Sequence, residues 1–161
     1  MPGLLIRRSA TFLAALLGAA IFLLLATTTV FADTRTITAP DALAASDRGD
    51  IIILDIRSPS EWAETGVAKG ALPVTMHSPE FGANLSAIIN QSQGKPIALI
   101  CATGGRSSYV ASVLGENGLT NVIDVSEGMF GNDTAKGWIA RGLPIVDVQT
   151  AMSAQSVLNL E

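Results

Sequence analysis

The chain holds one cysteine, Cys101, followed by Ala102, Thr103, Gly104, Gly105, Arg106, Ser107 and Ser108, directly behind the apolar run Ile97-Ala98-Leu99-Ile100. A strand that ends on a cysteine, turns through two glycines and enters a helix past an arginine sets a thiol among backbone N–H groups. Such groups hold anions and favour the thiolate form. Gly104 and Gly105 permit the backbone angles that turn successive N–H groups inward as a nest. Arg106 adds a fixed positive charge at the start of the helix. The chemistry predicted is that of a nucleophile or a sulfur carrier. Cys101 is the reacting residue, and Ala102, Thr103, Gly104, Gly105 and Arg106 form the cradle for its anionic partner. The competing reading is an inert core cysteine followed by an ordinary turn, because cysteine often serves as a small buried residue.

Other polar residues are read first as structural. Asp55, Arg57 and Glu61 form a charge cluster behind the run Ile51-Ile52-Ile53-Leu54. The reading is a supporting pair in which Arg57 meets Glu61 at a helix start, with Asp55 holding loop backbone. His77, the sole histidine, is either a catalytic partner of Cys101 or a local hydrogen-bonding residue. One cysteine and one histidine are too few for a metal site, so neither metal nor cofactor is expected. Trp62 and Trp138 are read as packing residues, and Met129 and Phe130 as either pocket mouth or loop packing.

The elements that must position these residues alternate. Thr36–Thr38, Ile51–Leu54, Ala71–Val74, Ile97–Ile100 and Val122–Val125 are strand candidates. Between them, helices are predicted over Pro40–Ser46, from Ser58-Pro59, from Ser78-Pro79 to about Asn90, over Ser107–Asn117 up to Gly118, and over Lys136–Arg141. Such alternation implies an α/β three-layer sandwich around a mostly parallel sheet of about five strands. Sites in such sheets form at the carboxyl ends of the strands, where Cys101 and Asp55 both fall.

On these residues the chain resembles the rhodanese-like, or sulfurtransferase, domains. Leu54-Asp55-Ile56-Arg57 with Ser58-Pro59-Ser60-Glu61-Trp62 matches the family's Asp-x-Arg strand end and its Glu-aromatic helix. Gly66-Val67-Ala68-Lys69-Gly70-Ala71 resembles the segment before the third strand, with Val67-Ala68 where His-Ile is frequent. Cys101 to Ser107 resembles the active-site loop Cys-x-x-Gly-x-Arg-Ser. Gly118 to Val122, Glu127-Gly128-Met129, Trp138 and Gly142 to Ile145 resemble the C-terminal segment, so the resemblance spans about Thr36 to Val146. It implies that the Cys101 thiolate takes the outer sulfur of a donor such as thiosulfate as a persulfide. A thiophilic acceptor (cyanide, a thiol or a protein) then removes it, with N–H groups of residues 102–106 as the cradle and Arg106 on the anionic donor. No general base is needed where a nest activates the thiol. Related phosphatases and arsenate reductases carry Cys-x5-Arg; with four residues between Cys101 and Arg106 this loop suits sulfur rather than a tetrahedral oxyanion. An alternative is a binding module that carries persulfide with little turnover.

Arg7 and Arg8 precede an uncharged stretch from Ser9 to Ala32 that closes on Val30-Phe31-Ala32. This pattern predicts a signal peptide over residues 1–32, the alternative being an uncleaved membrane anchor. Arg7-Arg8 fits twin-arginine export poorly. Residues 33–148 are then one rhodanese-like domain, 149–161 a polar tail, and the protein is exported, periplasmic or extracellular. Without Arg7 and Arg8, 8 of the 10 Lys/Arg remain against 14 acids, a net charge of −6 that argues against nucleic acid as partner. The partners expected are a small sulfur-donor anion and a thiol, cyanide or protein acceptor, with membrane attachment only through residues 1–32. A single cysteine forms no internal disulfide, so an exported free thiol points to chemistry.

Overall fold

Runs such as Ile51–Leu54 and Ile97–Ile100 have no polar face to leave in water, so they belong inside a sheet covered on both sides. The computed structural model describes residues 35–157, and the proposed signal segment 1–32 lies outside the described residues. In chain order the elements are β1 (Arg35–Ile37), α1 (Ala39–Asp47), β2 (Ile52–Asp55), α2 (Pro59–Thr65), β3 (Val67–Ala68), β4 (Ala71–Pro73), α3 (Phe81–Gln91), β5 (Ile97–Ile100), α4 (Gly105–Glu116), β6 (Val122–Val125), β7 (Gly131–Asn132), β8 (Ala135–Lys136), β9 (Ile145–Val146) and α5 (Val148–Val157).

Five strands form the sheet in the order β1-β6-β5-β2-β4, every neighbouring pair parallel. β5 and β6 are buried at every position. On one face Ala39, Ala42 and Ala45 of α1, Trp62 of α2 and Ala151 of α5 cover Ile53, Ala98, Ile100, Ile123 and Val125. On the other, Leu85 and Ile88 of α3 and Val110 and Ala111 of α4 cover Leu54, Leu99, Val122 and Cys101. This is the three-layer α/β sandwich that the alternation of strands and helices predicts. Because all five strands run the same way, their carboxyl ends share one edge, and Cys101 lies there one residue beyond β5.

Helix starts follow local chemistry where the cap is free to act. Ser58 and Glu61 form a reciprocal capping box on α2, with Pro59 in its first turn. Ser78 does not open α3 as the sequence predicts: its hydroxyl donates to the Glu80 carboxylate and accepts the Glu80 N–H. That turn uses up its capping capacity, and α3 begins at Phe81 without a side-chain cap. α4 begins at Gly105, two residues before the expected Ser107, which places Arg106 inside its first turn.

The helix expected over Lys136–Arg141 does not form. Lys136 lies on β8 of a short hairpin with β7. A Cβ on Gly137 would sit 2.1 Å from the Gly131 nitrogen, so two backbones pass too closely there for a helix. The N–H groups of Trp138 and Ile139 donate across to Gly128 and Met129 carbonyls at 3.0 and 2.9 Å. Arg141 is then tied to Glu127 at 2.7 Å. The segment is a folded strap against the active-site edge rather than a helix.

Candidate active site

The Cys101 sulfur is sheltered, the residue being 1% exposed. Its Sγ accepts the Gly104 N–H at 3.2 Å and the Ser107 hydroxyl at 3.4 Å. The loop reaches that geometry through Gly104, whose φ is +96°; a Cβ there would lie 2.1 Å from the Ser126 carbonyl oxygen. Only glycine fits. Gly105 is different, having no left-handed φ and nothing within 4 Å of where a Cβ would lie, so just one of the two glycines is demanded by the backbone. Gly105, Arg106 and Ser107 then form the first turn of α4, whose amides have no helical acceptor and whose dipole is positive. No acidic side chain occupies that turn.

The strap after β6 holds the loop from the other side. Met129 and Phe130 N–H groups donate to the Cys101 and Ala102 carbonyls, each at 2.8 Å. Asn132 Nδ2 donates to Thr103 O at 3.1 Å and to Ser126 O at 3.0 Å. Met129 is fully buried, whereas Phe130 is exposed beside the loop.

Arg106 sits beside Cys101 but is already engaged. Its Nη2 donates to Glu61 Oε1 at 2.5 Å and its Nη1 to Oε2 at 2.9 Å. His77 Nε2 lies 3.3 Å from the same Nη1, so His77 belongs to the Arg106 cluster. The Arg106 hydrogen bonds hold the Glu61 carboxyl down at about 2, with Ser58 assisting and burial opposing. In return Glu61 raises Arg106, and the Cys101 side chain adds a smaller effect.

The expected pairing of Arg57 with Glu61 is corrected by this geometry. Glu61 gives its carboxylate to Arg106 and Ser58, offering Arg57 only its main-chain oxygen at 3.4 Å. Arg57 instead pairs with Asp55, Nη2 to Oδ2 at 2.7 Å and Nε to Oδ1 at 2.9 Å, both side chains wholly buried. It also donates to Thr65 Oγ1 at 2.9 Å and Gly66 O at 2.7 Å. Arg57 thus pins both ends of α2 to the sheet, and Asp55 anchors it.

Two residues near the sulfur are given no role at the site by the sequence, although Ser107 closes the loop motif. Ser107 is fully buried and touches Sγ. Behind it lies Asp124 on β6, 2% exposed, paired in register with Leu99. Burial pushes the Asp124 carboxyl up, and the Ser107 hydroxyl acts against that rise. An isolated Asp within an apolar strand pattern was the available signal. Among the described residues no cluster of three His, Cys, Asp or Glu stands close enough to hold a metal ion.

A parallel sheet thus carries a cysteine loop at its carboxyl edge, seated on the N-terminus of α4. Residues 38–135 match the family described as Rhodanese-like domain. The chain belongs to the rhodanese-like domains. An uncharacterized protein of Rickettsia prowazekii (strain Madrid E), RP600, is 29% identical over 98 residues, covering 57% of this chain and 80% of that protein. A protein named sulfurtransferase from Allochromatium vinosum is 29% identical over 101 residues, 63% of this chain and 83% of its own. The solution structure of the polysulfide-sulfur transferase homodimer from Wolinella succinogenes is similar in fold, with a TM-score of 0.51 and 24% identity over 86% of this chain and 88% of that one.

Proposed function

We propose that this rhodanese-like domain is a sulfurtransferase that moves sulfane sulfur through a persulfide on Cys101. The observation that carries the reading is the paired donation of the Gly104 N–H and the Ser107 hydroxyl to Cys101 Sγ at the start of α4. Donors aimed at a sulfur favour its anion, and both thiolate and persulfide are anions. With thiosulfate as donor, the Cys101 thiolate attacks the outer sulfur and forms a new S–S bond. The old S–S bond breaks, and its electron pair leaves on sulfite. Attack by cyanide or a thiolate on the outer persulfide sulfur returns the Cys101 thiolate, so charge and electrons balance in both steps. The family likeness and the named sulfurtransferase relative support the class of reaction. The uncharged segment behind Arg7-Arg8 supports export, with the domain working outside the cytoplasm.

A second reading, a persulfide carrier with little turnover, is favoured by one observation. The Arg106 guanidinium that would attract a dianionic donor is occupied by Glu61. The test separates the two. The full chain is treated with thiosulfate and weighed intact, and thiocyanate is measured when cyanide follows. One added sulfur with sustained thiocyanate production is the expected result, and Cys101→Ser loses both. Loading without turnover favours the carrier; no added sulfur from thiosulfate or from a small persulfide donor refutes both. N-terminal sequencing of the mature protein checks the processing.

A further inference from the structure

The Ser107 hydroxyl has one hydrogen and three groups that want it. Its Oγ lies 3.0 Å from the Gly104 carbonyl oxygen and 3.4 Å from Cys101 Sγ, and it also acts on the Asp124 carboxyl. A hydroxyl donates once and accepts twice. If Asp124 is ionised, a buried carboxylate competes for that hydrogen against the sulfur. It also places a second negative charge behind a thiolate. If Asp124 carries a proton, the order reverses: Asp124 donates to Ser107 Oγ, and the Ser107 hydrogen is left to the Gly104 carbonyl and Cys101 Sγ alone.

The surroundings decide which state the fold accommodates. Asp124 projects to the same side of the sheet as Leu99, beneath α4, and its Oδ1 is buried without a hydrogen-bond partner. An unpartnered oxygen is costly on a buried carboxylate and far less so on a neutral acid. Its strand neighbours are Leu99 on β5 and Thr36 on β1, both uncharged. Of the charged groups on the packed elements, Arg106 at the start of α4 is turned to Glu61, while Glu116 on α4 and Arg35 on β1 are exposed. No cation among these serves Asp124.

We propose that Asp124 is a positioning residue that donates to Ser107 Oγ and so ceases to compete for the single Ser107 hydrogen, leaving it available to Cys101 Sγ. The reacting sulfur is then served by two donors, Gly104 N–H and Ser107 O–H, only while Asp124 holds its proton. This inference rests on Cys101 being the reacting thiol, but concerns a residue that touches neither donor nor acceptor.

The test reads the sulfur directly. In the full chain, the rate of Cys101 alkylation by iodoacetamide is followed against pH for the wild type, Asp124→Asn and Ser107→Ala. The wild type is expected to show two coupled ionisations, because loss of the Asp124 proton opposes the thiolate. Asp124→Asn, which keeps an N–H donor and cannot ionise, gives a single step displaced to lower pH. Ser107→Ala keeps the Asp124 charge but removes the hydroxyl donor, with reactivity about tenfold lower at the pH of half-reaction of the wild type. Infrared spectra of the wild type, which need no variant, should show the carbonyl stretch of a protonated carboxylic acid that disappears across the second step. An Asp124→Asn profile that superimposes on the wild type, or the absence of that band, overturns the inference. If Cys101 accepts alkyl groups in this way but never accepts sulfur, the sulfurtransferase reading fails and the Asp124 relay stands.

Discussion

At the residue scale, the Glu61–Arg106 pair links two functions that look unrelated in the sequence. Glu61 caps α2 through Ser58 and also neutralises the guanidinium beside Cys101. Glu61→Gln separates these roles, since glutamine also closes a capping box but carries no charge. The Glu61 carboxyl is held at about 2 against an ordinary 4.5, so its contribution to stability is complete above pH 4.5 and is lost as pH falls toward 2. Urea unfolding at a series of pH values should show that loss in the wild type and its absence in Glu61→Gln. The same substitution frees Arg106, and thiosulfate should then load Cys101 faster. Unchanged loading would mean that Arg106 does not meet the donor. Asp124 has the opposite sign. Burial raises it above 3.8, so wild-type stability falls as pH rises above that value, and Asp124→Asn should be the more stable protein at neutral pH. The Cys101 loop itself was legible because its glycine and arginine follow it within six residues. The partner of Arg106 was not, because Glu61 is 45 residues away and only the folded sheet edge brings it near.

At the scale of elements, β2 and α2 are held as one unit by Arg57. Arg57→Ala leaves the wholly buried Asp55 carboxylate without its cation and the Gly66 and Thr65 oxygens without a donor. The expected loss is about 3–5 kcal/mol by chemical denaturation; a loss comparable to that of a surface substitution would show that solvent or another group replaces the guanidinium. The loop tolerates even less at Gly104. Gly104→Ala meets both a left-handed backbone and the Ser126 oxygen, at a cost of roughly 1–3 kcal/mol for the backbone alone. It should abolish sulfur loading while Gly105→Ala leaves loading largely intact. Strands of continuous aliphatic residues were readable from one sequence, and so was the capped start of α2. The strap from Ser126 to Gly142 was not, because its shape depends on backbone-to-backbone approach at Gly128, Gly131 and Gly137 rather than on any periodic pattern.

At the scale of the whole molecule, charge and burial oppose each other around one sulfur. The chain is acidic, with a net charge of −4, and an anionic donor is repelled until it comes within the field of the loop. Loading by thiosulfate should therefore accelerate as ionic strength rises from about 0.01 to about 0.15 M, where the screening length shrinks to about 8 Å. A flat or falling dependence would mean that the helix N-terminus dominates at every distance. The 1% exposure of Cys101 has a separate consequence, one of selectivity. A persulfide has two sulfurs open to attack, and only attack on the outer one regenerates the protein. Attack on the inner one would break the same S–S bond, expel the outer sulfur as sulfide and cap Cys101 with the acceptor. In a Cys101 persulfide the outer sulfur would lie one S–S bond, about 2 Å, beyond Sγ, while Sγ itself would stay behind the loop. The fold would then act as a protecting group, using depth to choose which of the two sulfurs a thiol acceptor can reach.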